Sequence, residues 1–187
     1  MDKQQKIWNV PNVLTMLRMA LIPVFWYLFM SGYRWWALVV FVTASLTDLA
    51  DGYIARKYNL ITDFGKLMDP MADKLMVVSM MMAWVIVGVL PVAPLVIVFI
   101  KETIMVIGSA VMLKKQIVVY AAKAGKYAQF VMVVGLGLCY FHDKLPLPFH
   151  VYLVWVAAAL SLWALYFYVT RAIRFVKEKE QAEQKQS

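Results

Sequence analysis

The chain has 187 residues, 63% of them hydrophobic, and its 19 Lys and Arg outnumber 11 Asp and Glu to leave a net charge of +8. A mean hydropathy of +0.69 excludes an ordinary soluble domain, and the single Cys139 excludes an internal disulfide. One crossing of a hydrocarbon core roughly 30 Å thick takes about 20 apolar residues, so this length holds about six spans and no separate soluble domain.

Apolar windows between charged or Pro/Gly breaks predict an all-α integral membrane protein with six transmembrane helices, at 11–30, 35–57, 66–90, 92–113, 122–141 and 149–172. Residues 1–176 read as one membrane domain. The lead-in Met1 to Trp8 reads as a short interfacial helix, and Lys177 to Ser187 as a polar, partly disordered cytoplasmic tail. The stretch from Val13 to Met30 is too long for a signal-peptide core and is expected to be a retained helix. No segment rich in Arg and Ser precedes it, so the expected location is a bacterial cytoplasmic membrane.

With the N-terminus inside, the external connections Ser31 to Arg34, Val89 to Pro94 and His142 to Pro148 hold only Arg34 and Lys144 among the cations. The remaining loop charge, including Arg56, Lys57, Lys66, Lys114, Lys115, Lys123, Lys126, Arg171 and Arg174, falls on the other side. The positive-inside rule therefore places both termini in the cytoplasm. A basic belt of this kind attracts anionic headgroups and phosphates and accounts for the net charge without nucleic acid. No inverted repeat of the transporter type is visible.

The chemistry is carried by the stretch TDLADGYIARKYNLITDFGKLMDPMADK, residues 47–74. It puts Asp48, Asp51, Asp69 and Asp73 near the cytoplasmic ends of two predicted helices joined by a short polar turn. Three residues advance about 300° around a helix and four about 400°, so each Asp pair shares a face. Two antiparallel helices can then aim four carboxylates at one small volume. Such a cluster is costly in a membrane without compensating positive charge, and hard divalent cations such as magnesium or manganese supply it to oxygen ligands. A pair of these ions could clamp a pyrophosphate. Gly52 and Ala55 leave room for a nucleotide near the backbone, Gly65 can do the same across the turn, and Arg56 is placed to contact phosphate. One or two such Asp residues would read as solvated charges at helix ends. Asp63, in the turn near a helix start, is read as structural.

The run from Asp48 through Asp51-Gly52, Ala55-Arg56, Gly65 and Asp69 to Asp73 resembles, without a gap, the signature of the CDP-alcohol phosphotransferases. The opening residues Pro11-Asn12, Leu14-Thr15 and Arg18 are also similar to bacterial members of that family. The resemblance implies a six-helix, homodimeric membrane enzyme that holds two Mg2+ or Mn2+ ions and whose site is open to the cytoplasm. It implies that Asp48, Asp51, Asp69 and Asp73 are metal ligands and that Asp73 is also the general base. Gly52, Ala55, Arg56 and Gly65 would contact the CDP part of the lipid donor. The expected reaction transfers a phosphatidyl group from CDP-diacylglycerol to glycerol 3-phosphate and releases CMP.

Lys101-Glu102 stands in the fourth apolar segment, where members using glycerol 3-phosphate tend to carry Arg-Glu. Lys101 is a candidate for binding the acceptor phosphate, and the alternative is a mutual ion pair that helps the helices pack. Lys123 and Lys126 are either further phosphate contacts or headgroup anchors. His142 and His150 have no partner motif, and Cys139 lies in an apolar helix; all three read as structural. Two rivals stay open. One is transfer to phosphatidylglycerol, as in a cardiolipin-type enzyme; the other, from a different class, is a divalent-cation transporter. The transporter needs carboxylates at mid-membrane on several helices, whereas these four cluster at one end of two.

Overall fold

Backbone groups in hydrocarbon find no water, so long apolar runs satisfy their own hydrogen bonds as helices. The computed structural model describes residues 10–57, 63–114, 123–145 and 147–184, apart from the side chains of 10–11, 48–70, 110, 113–114, 123–124, 177–180 and 182–184. It contains helices α1 (Val10–Met30), α2 (Arg34–Lys57), α3 (Asp63–Ile86), α4 (Val92–Lys114), α5 (Lys123–Leu138) and α6 (Phe149–Gln184). A 3-10 turn at Cys139–Phe141 extends α5, and there is no strand among the described residues. The lead-in helix expected over Met1 to Trp8 lies outside the described residues.

Two ends differ from expectation. The third helix stops at Ile86 instead of residue 90, because Gly88 takes a left-handed φ of 76°. The last helix continues to Gln184, so the tail is helical across most of the stretch read as partly disordered. Its Lys, Glu, Gln and Ala residues are strong helix formers, and a helix already nucleated upstream propagates through them.

Helices α1–α3 form one compact unit, up to Val89, and α4–α6 a second, from Leu90 onward. In the first unit, α1 and α3 end in the same way. Tyr33 N–H donates to Leu28 O at 2.9 Å around Gly32 (φ 85°), and Val89 N–H donates to Trp84 O at 3.0 Å around Gly88. This six-to-one closure satisfies carbonyls at the helix ends and requires glycine, since only glycine takes the left-handed conformation without penalty. The turn at Gly32 folds α2 back along α1. Both helices touch α3. The core between them holds Phe25, Phe29, Phe41, Met76, Met80 and Trp84, each at most 2% exposed. Phe29 meets Trp84 edge to face at 5.1 Å, and the Arg34 guanidinium covers both rings at 5.9 and 5.8 Å. Arg34, expected as a loop charge, thus closes the aromatic core at that end through cation–π contacts.

In the second unit α5 and α6 pack closely along small residues. Ala128, Met132 and Leu136 of α5 are buried, as are Val154, Ala157, Ser161 and Ala164 of α6. A side chain at Gly135 would come within 3.2 Å of Val154 Cγ2 and 3.4 Å of the Val154 backbone nitrogen. Small residues let helix backbones approach to this distance, which is how membrane helices gain dispersion energy without a hydrophobic drive.

Among the described residues, three stretches are long and apolar enough to cross a membrane, Asn12–Met30, Val92–Ser109 and Phe149–Val176; Arg34–Thr47 and Gly125–Phe141 are shorter apolar helices. Large side chains such as Leu17, Tyr27, Phe99, Ile107, Phe130 and Trp163 lie on the outside. Exposure on this scale suits a hydrocarbon surrounding and not water.

Gly135→Ala is expected to lower stability in detergent by ~1–3 kcal/mol, because the added methyl would lie 3.2 Å from Val154 Cγ2 and 3.3 Å from Leu153 Cβ on the closely packed α6. Gly137→Ala, with open space at its Cβ position, serves as the control, and thermal melting of the two purified variants measures the difference.

Candidate active site

The short turn at residues 31–33 makes α1 and α2 antiparallel, and the short connection between Lys57 and Asp63 returns α3 alongside. The start of α1, the end of α2 and the start of α3 therefore share one end of the first unit. Residues 48–57 and 63–73 are helical, so the two Asp pairs keep the register in which each pair shares a face. The side chains of Asp48, Asp51, Gly52, Ala55, Arg56, Gly65 and Asp69 lie outside the described residues. Asp73 is half-buried on α3, beside the fully buried Ala72. Among the described residues no three His, Cys, Asp or Glu side chains converge.

The same end carries a polar stripe on α1. Asn12, Thr15 and Arg18 on α1 are each only 1% exposed. Their three-residue spacing keeps them within about 120° of one another around the helix. At 1.5 Å per residue, Arg18 lies about 12 Å from the start of α1, Asp73 about 15 Å from the start of α3 and Asp48 about 14 Å from the end of α2. An arginine buried at this depth is tolerated only with negative charge to compensate it, and the carboxylate-bearing stretches of α2 and α3 are at comparable depth. An Arg three and six residues after two polar residues, on one face of an apolar run, is the signal the sequence offers.

In the second unit Lys101 is 7% exposed, and its Nζ pairs with the Glu102 carboxylate. The pair stands within the apolar stretch Val92–Ser109. Lys126 is exposed on α5, and the side chain of Lys123 lies outside the described residues. His142 Nδ1 lies 2.9 Å from Cys139 O, and its Nε2 is 3.1 Å from Asp143 Oδ1. His150 and Cys139 are buried, in keeping with structural roles.

Residues 8–163 match the sequence pattern of the CDP-alcohol phosphatidyltransferase family. The chain is 34% identical to a Bacillus subtilis protein named CDP-diacylglycerol–glycerol-3-phosphate 3-phosphatidyltransferase, over 87% of this chain and 90% of that one. It is 35% identical to a Mycobacterium tuberculosis protein named probable phosphatidylglycerophosphate synthase, over 90% and 84% of the two chains. An Arabidopsis thaliana protein named CDP-diacylglycerol–glycerol-3-phosphate 3-phosphatidyltransferase 2 is 32% identical, over 93% and 84%. With the family pattern covering most of the chain and the carboxylate motif intact on two adjoining helices, this membrane-type helical protein belongs to the CDP-alcohol phosphatidyltransferase family of enzymes.

Proposed function

We propose that this enzyme transfers the phosphatidyl group of CDP-diacylglycerol to glycerol 3-phosphate, yielding phosphatidylglycerophosphate and CMP. The observation that carries the reading is the gapless carboxylate motif on the adjoining helices α2 and α3. The acceptor follows from relatives similar over most of their length, whose names specify glycerol 3-phosphate.

The donor binds with its CDP portion against Gly52, Ala55, Arg56 and Gly65. Asp73 takes the proton from the acceptor hydroxyl as that oxygen attacks the β-phosphorus, and the bond to the CMP oxygen breaks. The oxygen-only donor set of Asp48, Asp51, Asp69 and Asp73 fits two hard ions, Mg2+ or Mn2+, which when bound neutralise charge on the pyrophosphate. Buried Arg18 adds fixed positive charge to the same end of the first unit. Lys101, held ready by Glu102, serves the acceptor phosphate, with Lys123 and Lys126 as further contacts. The protein works as a homodimer with six spans, its termini and site on the cytoplasmic face. The concentration of Lys and Arg in the connections of that face supports the orientation.

Purified protein given CDP-diacylglycerol and Mg2+ or Mn2+ is expected to release CMP with glycerol 3-phosphate and not with phosphatidylglycerol. Release with phosphatidylglycerol alone would reassign the acceptor, and no release with any acceptor would sink the reading. Asp73→Asn should cut the rate by ~100-fold or more, as loss of a general base does. Chelation with EDTA should abolish release, and added Mg2+ or Mn2+ should restore it. Lys101→Met should raise KM for glycerol 3-phosphate by ~10-fold or more with kcat little changed, the size expected for one lost charged hydrogen bond. An unchanged KM would leave Lys101 as half of a packing ion pair.

A further inference from the structure

Arg18 carries a fixed charge and is 1% exposed, and the proposed chemistry gives it no step of its own. The aromatic contact at the other end of the same helices fixes its level. Helices α1 and α3 run in the same direction, since each is antiparallel to α2. Phe29 of α1 meets Trp84 of α3 at 5.1 Å, which sets these two residues side by side. Arg18 and Asp73 each stand 11 residues before that contact, about 16.5 Å back along the two axes. Eleven residues make three turns and about 20° more, so each lies on nearly the same face of its helix as its aromatic. Burial agrees: Arg18, Phe25 and Phe29 lie along one buried line of α1, and Val77, Met80 and Trp84 along one of α3 that Asp73 continues. Arg18 and Asp73 are therefore level on adjoining helices.

A guanidinium at this depth needs a countercharge. The acids on α1, α2 and α3 are Asp48, Asp51, Asp63, Asp69 and Asp73. Asp63 begins α3, about 15 Å from the level of Asp73, so the compensation falls to the four motif carboxylates. Lys74, beside Asp73, adds a second positive charge there but is only half-buried. Arg18 is buried too fully to reach a substrate, and it acts on the reaction only through the carboxylates.

On the reading of Asp48, Asp51, Asp69 and Asp73 as divalent-ion ligands, we propose that Arg18 is the resident counter-charge of the cluster. It is a positioning residue that holds the acidic helices together while no divalent ion is bound. Two consequences have opposite signs. Without metal, the guanidinium offsets the mutual repulsion of the carboxylates and stabilises the fold. Toward an arriving cation the same charge is repulsive, so it limits how tightly the cluster holds Mg2+ or Mn2+. Replacing a residue that served packing alone would instead loosen the carboxylates and weaken metal binding.

The test is Mn2+ binding to the purified full-length protein in detergent without substrate, read from the electron paramagnetic resonance of free Mn2+, with melting of each variant. Arg18→Met should melt below the wild type without metal and gain more in melting temperature when Mn2+ is added. It should also bind Mn2+ ~10-fold or more tighter, the scale of one charge removed within about 10 Å of a divalent ion. Arg18→Lys, which keeps the charge, should bind as the wild type does. Asp73→Asn should weaken binding by ~10-fold or more, because a charged ligand is lost. If Arg18→Met does not fold, Arg18→Gln, which keeps a polar end group, carries the same expectation. Equal or weaker Mn2+ binding by the uncharged variant, with Asp73→Asn impaired, would overturn this proposal alone. No binding by the wild type, or equal binding by Asp73→Asn, would overturn the metal-site reading and this proposal with it.

Discussion

Hydrocarbon does not solvate charge, and the arrangement of this protein follows from where its helices place charged residues. Arg18 is buried on α1, and the Asp residues of α2 and α3 stand at comparable distances along their helices from the same end of the first unit. Each would be expensive alone, and opposite charges at one end of the unit offset one another. In the second unit the same constraint is met locally, since Lys101 and Glu102 are neighbours in sequence and pair with each other.

Chain reversal makes the balance in the first unit possible. Three residues join α1 to α2, and a glycine in the left-handed conformation closes the end of α1. At the opposite end from the carboxylates, Phe25, Phe29 and Trp84 lock α1 to α3 under Arg34. The aromatic lock and the polar site therefore occupy separate ends of one helical layer. A well-packed end of this kind keeps helix register, and register decides which face the carboxylates present.

The second unit is held by a different economy. Gly135 and the small residues of α6 bring α5 and α6 close enough for backbone contact. Between α4 and α6 the packing is open, and a cleft beside Tyr168 is the result. Dispersion between helices and between helix and lipid is similar in strength, so close packing occurs only where small residues permit it.

Composition and hydropathy made the membrane setting and helical class legible, and the spacing from Asp48 to Asp73 made the family legible, because helical periodicity and motif spacing are local properties of the chain. The positions of most helices were readable for the same reason. Other features depended on contacts between residues far apart in sequence. Arg18 is no more than an Arg in an apolar run until α1 packs against α2 and α3 and buries it. Arg34 counts as loop charge until Phe29 and Trp84 meet beneath it. Gly108 and Tyr168, sixty residues apart, form a cleft only when α4 lies against α6. Periodicity tells which faces of a helix are apolar, but tertiary packing decides which partner each face meets, and that partner gives these four residues their roles.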